Sequence, residues 1–288
     1  MDNTWSRLSG WLRSWLGGSD AGVATESDPS SPPSTTVDGR GRVSGSPPSA
    51  NGASSFHLFW DLPGRFVEVN ALFQVTEPPK VAKLYFWALQ VDFARADGHP
   101  AGGAHTGLQY HPDYPNRSAI NWGGYAADGS ILTGTRSPLR SSAGNPHTSD
   151  FDWVAGRPYR LRVFRADAVT NRTGIFAWSA SVTDETTGAT TFIRDLFTAG
   201  EALVNPMCWS EVFARCDDPS VEVRWSELQA IDETGQTHRP DRVRLNYQAH
   251  NDGGCANTDI NVDSAGGVRQ RTNTRRDHPQ GSVLARSL

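Results

Sequence analysis

Residues 81–93, VAKLYFWALQVDF, decide the fold. Tyr85, Trp87, Leu89, Val91 and Phe93 fall on one side of an extended chain, with Ala88, Gln90 and Asp92 on the other. Neighbouring side chains of a strand point to opposite faces, so this period of two reads as a strand with one buried face. The pattern recurs further along. In residues 159–164, Tyr159, Leu161 and Val163 alternate with Arg160 and Arg162. In residues 175–183, Phe176, Trp178, Ala180 and Val182 alternate with Ala177, Ser179 and Ser181. Residues 221–225 and 242–248 repeat it, and Gly- or Pro-containing turns separate the runs. Many short alternating strands with almost no helical period imply an all-β fold. The expected body is a two-sheet antiparallel β-sandwich, jelly-roll or lectin-like, over residues 56–288.

Two segments of different texture precede it. In residues 1–16, Trp5, Leu8, Leu12 and Trp15 recur at helical spacing, with Trp11 and Leu16 beside them and Arg7 and Arg13 off the stripe. This predicts a short amphipathic helix that Gly17-Gly18 would end. A helix of this length is marginal alone and needs a surface to fold against. Residues 17–55 follow, and 22 of these 39 are Gly, Ser or Pro, with no Leu, Ile, Met or aromatic residue. Such composition cannot offset its ordering entropy and reads as a disordered linker. It would span roughly 35 Å on average. The arrangement predicts a docking or anchoring helix for a membrane surface or a protein partner.

The chain has 288 residues, 37% of them hydrophobic and 20% charged, with a net charge of -4. That balance argues against a nucleic-acid partner. No apolar run approaches the ~20 residues of a membrane span, and the start of the chain lacks the apolar stretch of an export signal. These features leave the compartment open. Cys208, Cys216 and Cys255 lack the CxxC spacing of a zinc or redox motif. Either Cys208 and Cys216 bridge across a short loop, or all three stay reduced.

Six segments carry a family resemblance: GLQYHP (107–112), INWGGY (120–125), GNPHTSDFDW (144–153), RPYRLRVFR (157–165), WSEVFARCD (209–217) and NYQAHNDGGCANTD (246–259). Together they resemble an uncharacterised bacterial family of β-sandwich proteins that carries only a domain-of-unknown-function label. The resemblance runs over most of residues 60–286. It implies a jelly-roll, usually secreted, with suspected carbohydrate association and no assigned catalytic residues. The Trp-rich helix and linker depart from the family's secreted form.

Sugar recognition needs aromatic faces for pyranose C–H surfaces, and planar amides, carboxylates and Arg for hydroxyl pairs. Trp122 follows Asn121 and shortly precedes Tyr125, Trp153 follows Asp150 and Asp152, and Trp209 lies two residues before Glu211. Gln109, Asn121, Trp122, Tyr125, Trp153, Arg160 and Glu211 are therefore the candidate ligand-binding residues. The leading expectation is a non-catalytic carbohydrate-binding sandwich with a glycan partner.

A carbohydrate-active enzyme is the alternative. A glycoside hydrolase needs two carboxylates about 5–9.5 Å apart, for which Glu211 with Asp150 or Asp152 are the candidates. A polysaccharide lyase needs a Tyr or His base. Gln109-Tyr110-His111 resembles the Gln-x-His element of alginate-lyase sandwiches, which nominates Tyr110 and His111. A partner-docking module is the third reading. No cofactor is expected. Asp259, Asn261 and Asp263 alternate as the start of a calcium loop would, but Ser264 and Gln270 stand where an EF-hand needs Gly and Glu. A lectin-type Ca²⁺ site is the remaining metal option.

Overall fold

A computed structural model describes residues 44–166 and 173–285. The expected helix over 1–16 and the linker as far as residue 43 lie outside the described residues. The first strands are β1 (Ser54–Trp60), β2 (Glu68–Glu77), β3 (Tyr85–Ala94), β4 (Pro100–Tyr110), β5 (Ser118–Ala126) and β6 (Thr148–Asp150). Next come β7 (Pro158–Arg165), β8 (Phe176–Asp184), β9 (Ala189–Thr198), β10 (Ala202–Val212) and β11 (Glu222–Ile231). The chain ends with β12 (Thr237–His238), β13 (Arg242–Tyr247), β14 (Thr258–Val262), β15 (Val268–Thr272) and β16 (Val283–Ala285).

These strands form the expected antiparallel sandwich. The first sheet has the order β16-β13-β1-β10-β3-β4-β5-β6 and the second β14-β15-β11-β2-β7-β8-β9, with β12 beside β11. The alternating residues do what their period predicts. Tyr85, Trp87, Leu89, Val91 and Phe93 of β3 face Tyr159, Leu161 and Val163 of β7 and Trp178, Ala180 and Val182 of β8 in one core. Apolar side chains leave water and stack between the layers, the dominant favourable term in folding.

Polar ties cross that core where buried groups need partners. Gln270 on β15 accepts from the Trp225 indole and from Ser210 Oγ, both at 2.9 Å, and donates to the Phe56 carbonyl at 2.9 Å. One side chain thus joins the two sheets. The two sheets also meet along one side, where Leu132 N donates to the Gly124 carbonyl and Phe197 N to that of Thr133.

Two departures matter for the site. In β10 the register slips between Val204 and Met207, which pair with Asp92 and Gln90 of β3. Asn205, at φ 50°, and Pro206 occupy the extra length, so β10 carries one residue more than its partner. Such a bulge bends the strand and reverses its alternation. Residues 44–55, read above as linker, are instead packed on the sandwich. Ser54 and Ser55 open β1, and Gly45 hydrogen-bonds to residues 216 and 217. The disulfide joins Cys216 to Cys255, across 39 residues, and Cys208 is buried outside it. The option of a Cys208–Cys216 bridge is thereby corrected.

Candidate functional site

The outward face of the first sheet is the unusual surface of this molecule. Register places the side chains in rows across the strands. One row runs Ser55, Glu211, Phe86, Gln109 and Ala119 to Asp150. The next runs His57, Trp209, Ala88, Gly107, Asn121 and Thr148, and a third Phe59, Met207, Gln90, His105 and Gly123. An outer face is ordinarily polar and solvated. Here Phe86, Ala88, Met207 and Trp209 form a second apolar cluster, and the polar residues among them are buried too.

Burial sets the proton affinities on this face. Glu211 is 3% exposed, and desolvation pushes its carboxyl up to about 7 against a weaker downward pull from the Asn51 amide, which donates to Oε1 at 3.2 Å. Desolvation likewise lifts Asp92 to about 6, and lowers His57 to about 4 and His105 to about 3. Both imidazoles are therefore neutral at pH 7. Trp209 Nε1 donates to Gln90 Oε1 at 2.9 Å, and the Trp209 ring meets Phe86 and His105 edge-on. Gln109 is 2% exposed, and its Oε1, like Asn121 Oδ1, has no hydrogen-bond partner among the described residues. The Asn121 amide nitrogen is held by Thr148 Oγ1 at 2.9 Å.

Of the seven candidate ligand-binding residues, Glu211, Gln109, Asn121 and Tyr125 belong to this face. Trp122 and Trp153 do not. Both sit in the core, where their indoles donate to the carbonyls of Trp178 at 3.3 Å and Gln109 at 2.9 Å. Arg160 lies on the opposite side of the molecule, on the outer face of the second sheet, paired with Glu185 and Glu227 and donating to Asn70. Gln90 and Asp92 share one side of their strand, and Arg160 and Arg162 one side of theirs. They belong to different sheets.

The candidate catalytic residues other than Glu211 are dispersed. Asp150 ties down a turn through Ser142, and Asp152 accepts from Asn116 at 3.1 Å. Asp150 stands four strands from Glu211, ~19 Å at the usual interstrand spacing. Asp92 lies six residues from Phe86, the partner of Glu211, or ~20 Å along the strand. Neither distance suits a pair of glycosidase carboxylates. The Tyr110 hydroxyl accepts from Arg117 at 2.8 Å, and His111 packs against Tyr114.

Among the described residues no three His, Cys, Asp or Glu side chains are placed to hold a metal ion. The alternating oxygens read as a calcium loop are otherwise engaged. Asp263 accepts from Arg224 at 2.6 Å and Arg269 at 3.2 Å, while Asp259 is buried under the backbone of Asp277 and His278.

No family model and no curated protein matches this chain. Solved structures similar to it include SCP-B, a member of the eqolisin family of peptidases, in a complex with the tripeptide Ala-Ile-His. It is 12% identical with a TM-score of 0.43, and the match covers 77% of this chain and 98% of that one. Scytalido-glutamic peptidase with a peptide-based transition-state analog is 13% identical with a TM-score of 0.43, again over 77% and 98%. At these values the likeness is one of general architecture.

The expectation of a non-catalytic, lectin-like carbohydrate binder is corrected. All seven tryptophans of the sandwich are buried, six in the inter-sheet core and Trp209 in the outer cluster, so no indole face is offered to a sugar. Sequence reasoning noted Trp209 and Glu211 on one face but missed His57, Phe86 and His105 as members of that face. Only strand order brings β1, β10, β3 and β4 together.

Proposed function

We propose that this protein is a hydrolase of acyl bonds, amide or ester, with Glu211 as its general acid and base. The supporting observation is a buried carboxyl whose proton affinity lies near neutrality, on a face shared with Gln109. A group that is half protonated at working pH can take a proton from water and return it to the leaving group. Gln109 lies two strands away, with Phe86 between, ~10 Å by backbone spacing. Its side chain projects to the same side, and its amide N–H group is the donor for the oxyanion that forms at the attacked carbonyl.

Hydrolysis of a chromogenic amide, a chromogenic ester and an unfolded polypeptide, followed from pH 4 to 9, tests this reading. The expected result is turnover that titrates near pH 7, falls at least about 100-fold in Glu211→Gln and falls roughly 10- to 100-fold in Gln109→Ala. Turnover in Glu211→Gln equal to that of the parent protein overturns it.

A further inference from the structure

We infer that Asn51 is a positioning residue for Glu211, presented to it by a strap, residues 44–53, that is anchored on the loops joined by the Cys216–Cys255 disulfide. The inference deepens the hydrolase reading and rests on it only where activity is concerned.

The strap's own sequence builds the presentation. Gly52, at φ 74°, closes a turn in which its N–H donates to the Ser49 carbonyl at 3.0 Å. Ser49 Oγ donates to the Ala53 carbonyl, and the Ala53 N–H donates to Asn51 Oδ1 at 3.2 Å. That last bond fixes which end of the amide faces where. With its oxygen held inside the turn, the NH₂ group must point outward, and it reaches Glu211 Oε1 at 3.2 Å.

The anchoring is equally local. The Gly45 carbonyl accepts from Cys216 N at 2.8 Å, and the Gly45 N–H donates to Asp217 Oδ1 at 3.0 Å. At the other end, Ser54 Oγ accepts from Cys255 N at 2.8 Å. Between them the backbone of Ser49 lies directly on Gly253. A Cβ on Gly253 would stand 2.1 Å from Ser49 N, and its φ of 95° also requires glycine. Both half-cystines of the bridge therefore hold the strap, one at each end.

The groups that face Glu211 are Asn51 from the strap, Ser55 and His57 from β1, Trp209 from its own strand, Phe86 from β3 and Gln109 from β4. Of these only His57 titrates, and it is neutral near pH 7. The amide N–H of Asn51 favours the ionised carboxylate, and so opposes the burial that favours the acid. Asn51 thereby sets both the direction of the carboxyl and the pH at which it exchanges its proton.

The test is a carbon-13 NMR titration of the Glu211 carboxyl in the full chain and in Asn51→Ala. The Glu211 midpoint is expected to rise by about one pH unit when the donor is removed. The Cys216→Ser/Cys255→Ser double variant, which frees the strap and lets water reach the carboxyl, should instead lower it, because burial outweighs the pull of Asn51. If Asn51→Ala does not fold, Asn51→Asp decides. A second carboxylate at that position must raise the midpoint further if the contact exists. An unmoved midpoint in a folded Asn51 variant overturns the inference. In the activity arm, the pH–rate profile of Asn51→Ala should move to higher pH by the same amount with KM unchanged. A parent protein inactive on every substrate sinks the hydrolase reading and leaves the titration to stand or fall alone.

Discussion

The indole N–H of Trp122 on β5 donates to the backbone carbonyl of Trp178 on β8 at 3.3 Å, and so ties one sheet to the other through the core. Trp178 repeats the device, donating to the Gly200 carbonyl at 2.9 Å. Each tryptophan contributes a large apolar area and satisfies its one polar atom, which is what a buried indole requires. Trp122→Ala should therefore cost about 3–5 kcal/mol of stability, read from the urea unfolding midpoint. A variant that unfolds at the parent midpoint would mean that Trp122 is not in the core.

Stability should depend on pH in two opposed ways. Glu211 titrates at about 7 when folded and near 4.5 when exposed, so its contribution is complete below about pH 4.5 and is lost as pH rises through 7. The loss is about 3 kcal/mol, and Glu211→Gln should abolish it. His57 and His105 have folded values of about 4 and about 3, below their ordinary 6.5. Their contribution is present above pH 6.5 and is lost as the pH falls through those values. Acid unfolding curves report this arm. His105→Phe, which keeps a ring against Phe86 and Trp209, should unfold at lower pH than the parent.

Gly107 lies in the row between Ala88 and Asn121, and a Cβ there would stand 1.9 Å from the Trp87 carbonyl oxygen. The obstacle is backbone, which cannot rotate aside. Gly107→Ala should cost roughly 3 kcal/mol in denaturant unfolding, and a neutral effect would show that β3 and β4 are not paired in this register.

Cleaving the Cys216–Cys255 bridge should lower stability by about 4 kcal/mol on the chain-entropy account, given the 39 residues it spans. Thermal unfolding with and without a dithiol measures this. Equal midpoints would show that the bridge does not form.

The core side of the sandwich was legible because period-two patterning reports one buried face. Tyr85 to Phe93 and Tyr159 to Val163 are buried as the alternation predicts. The outer face of the first sheet was not legible, because Phe86, Ala88 and Gln90 are buried as well, and alternation assigns only one side to the interior. Aromatic residues near polar ones misled for a related reason. Trp122 and Asn121 are adjacent in the chain, and in a strand adjacency places two side chains on opposite faces. The strap escaped notice because Gly, Ser and Pro carry no apolar period, although their turn chemistry and hydrogen bonds are what pack it.

The extra residue in β10 has a consequence for how this strand can vary. Counting from Leu203, which faces the core, strict alternation would send Met207, Trp209 and Glu211 inward and Cys208 and Ser210 outward. The insertion at Asn205-Pro206 reverses that parity. The strand therefore has a reading frame, much as a coding sequence does. Loss of a single residue at that corner would give a regular strand with Glu211 still outside, whereas the same letters paired without the bulge would turn the acid into the hydrocarbon interior and expose the Cys208 thiol.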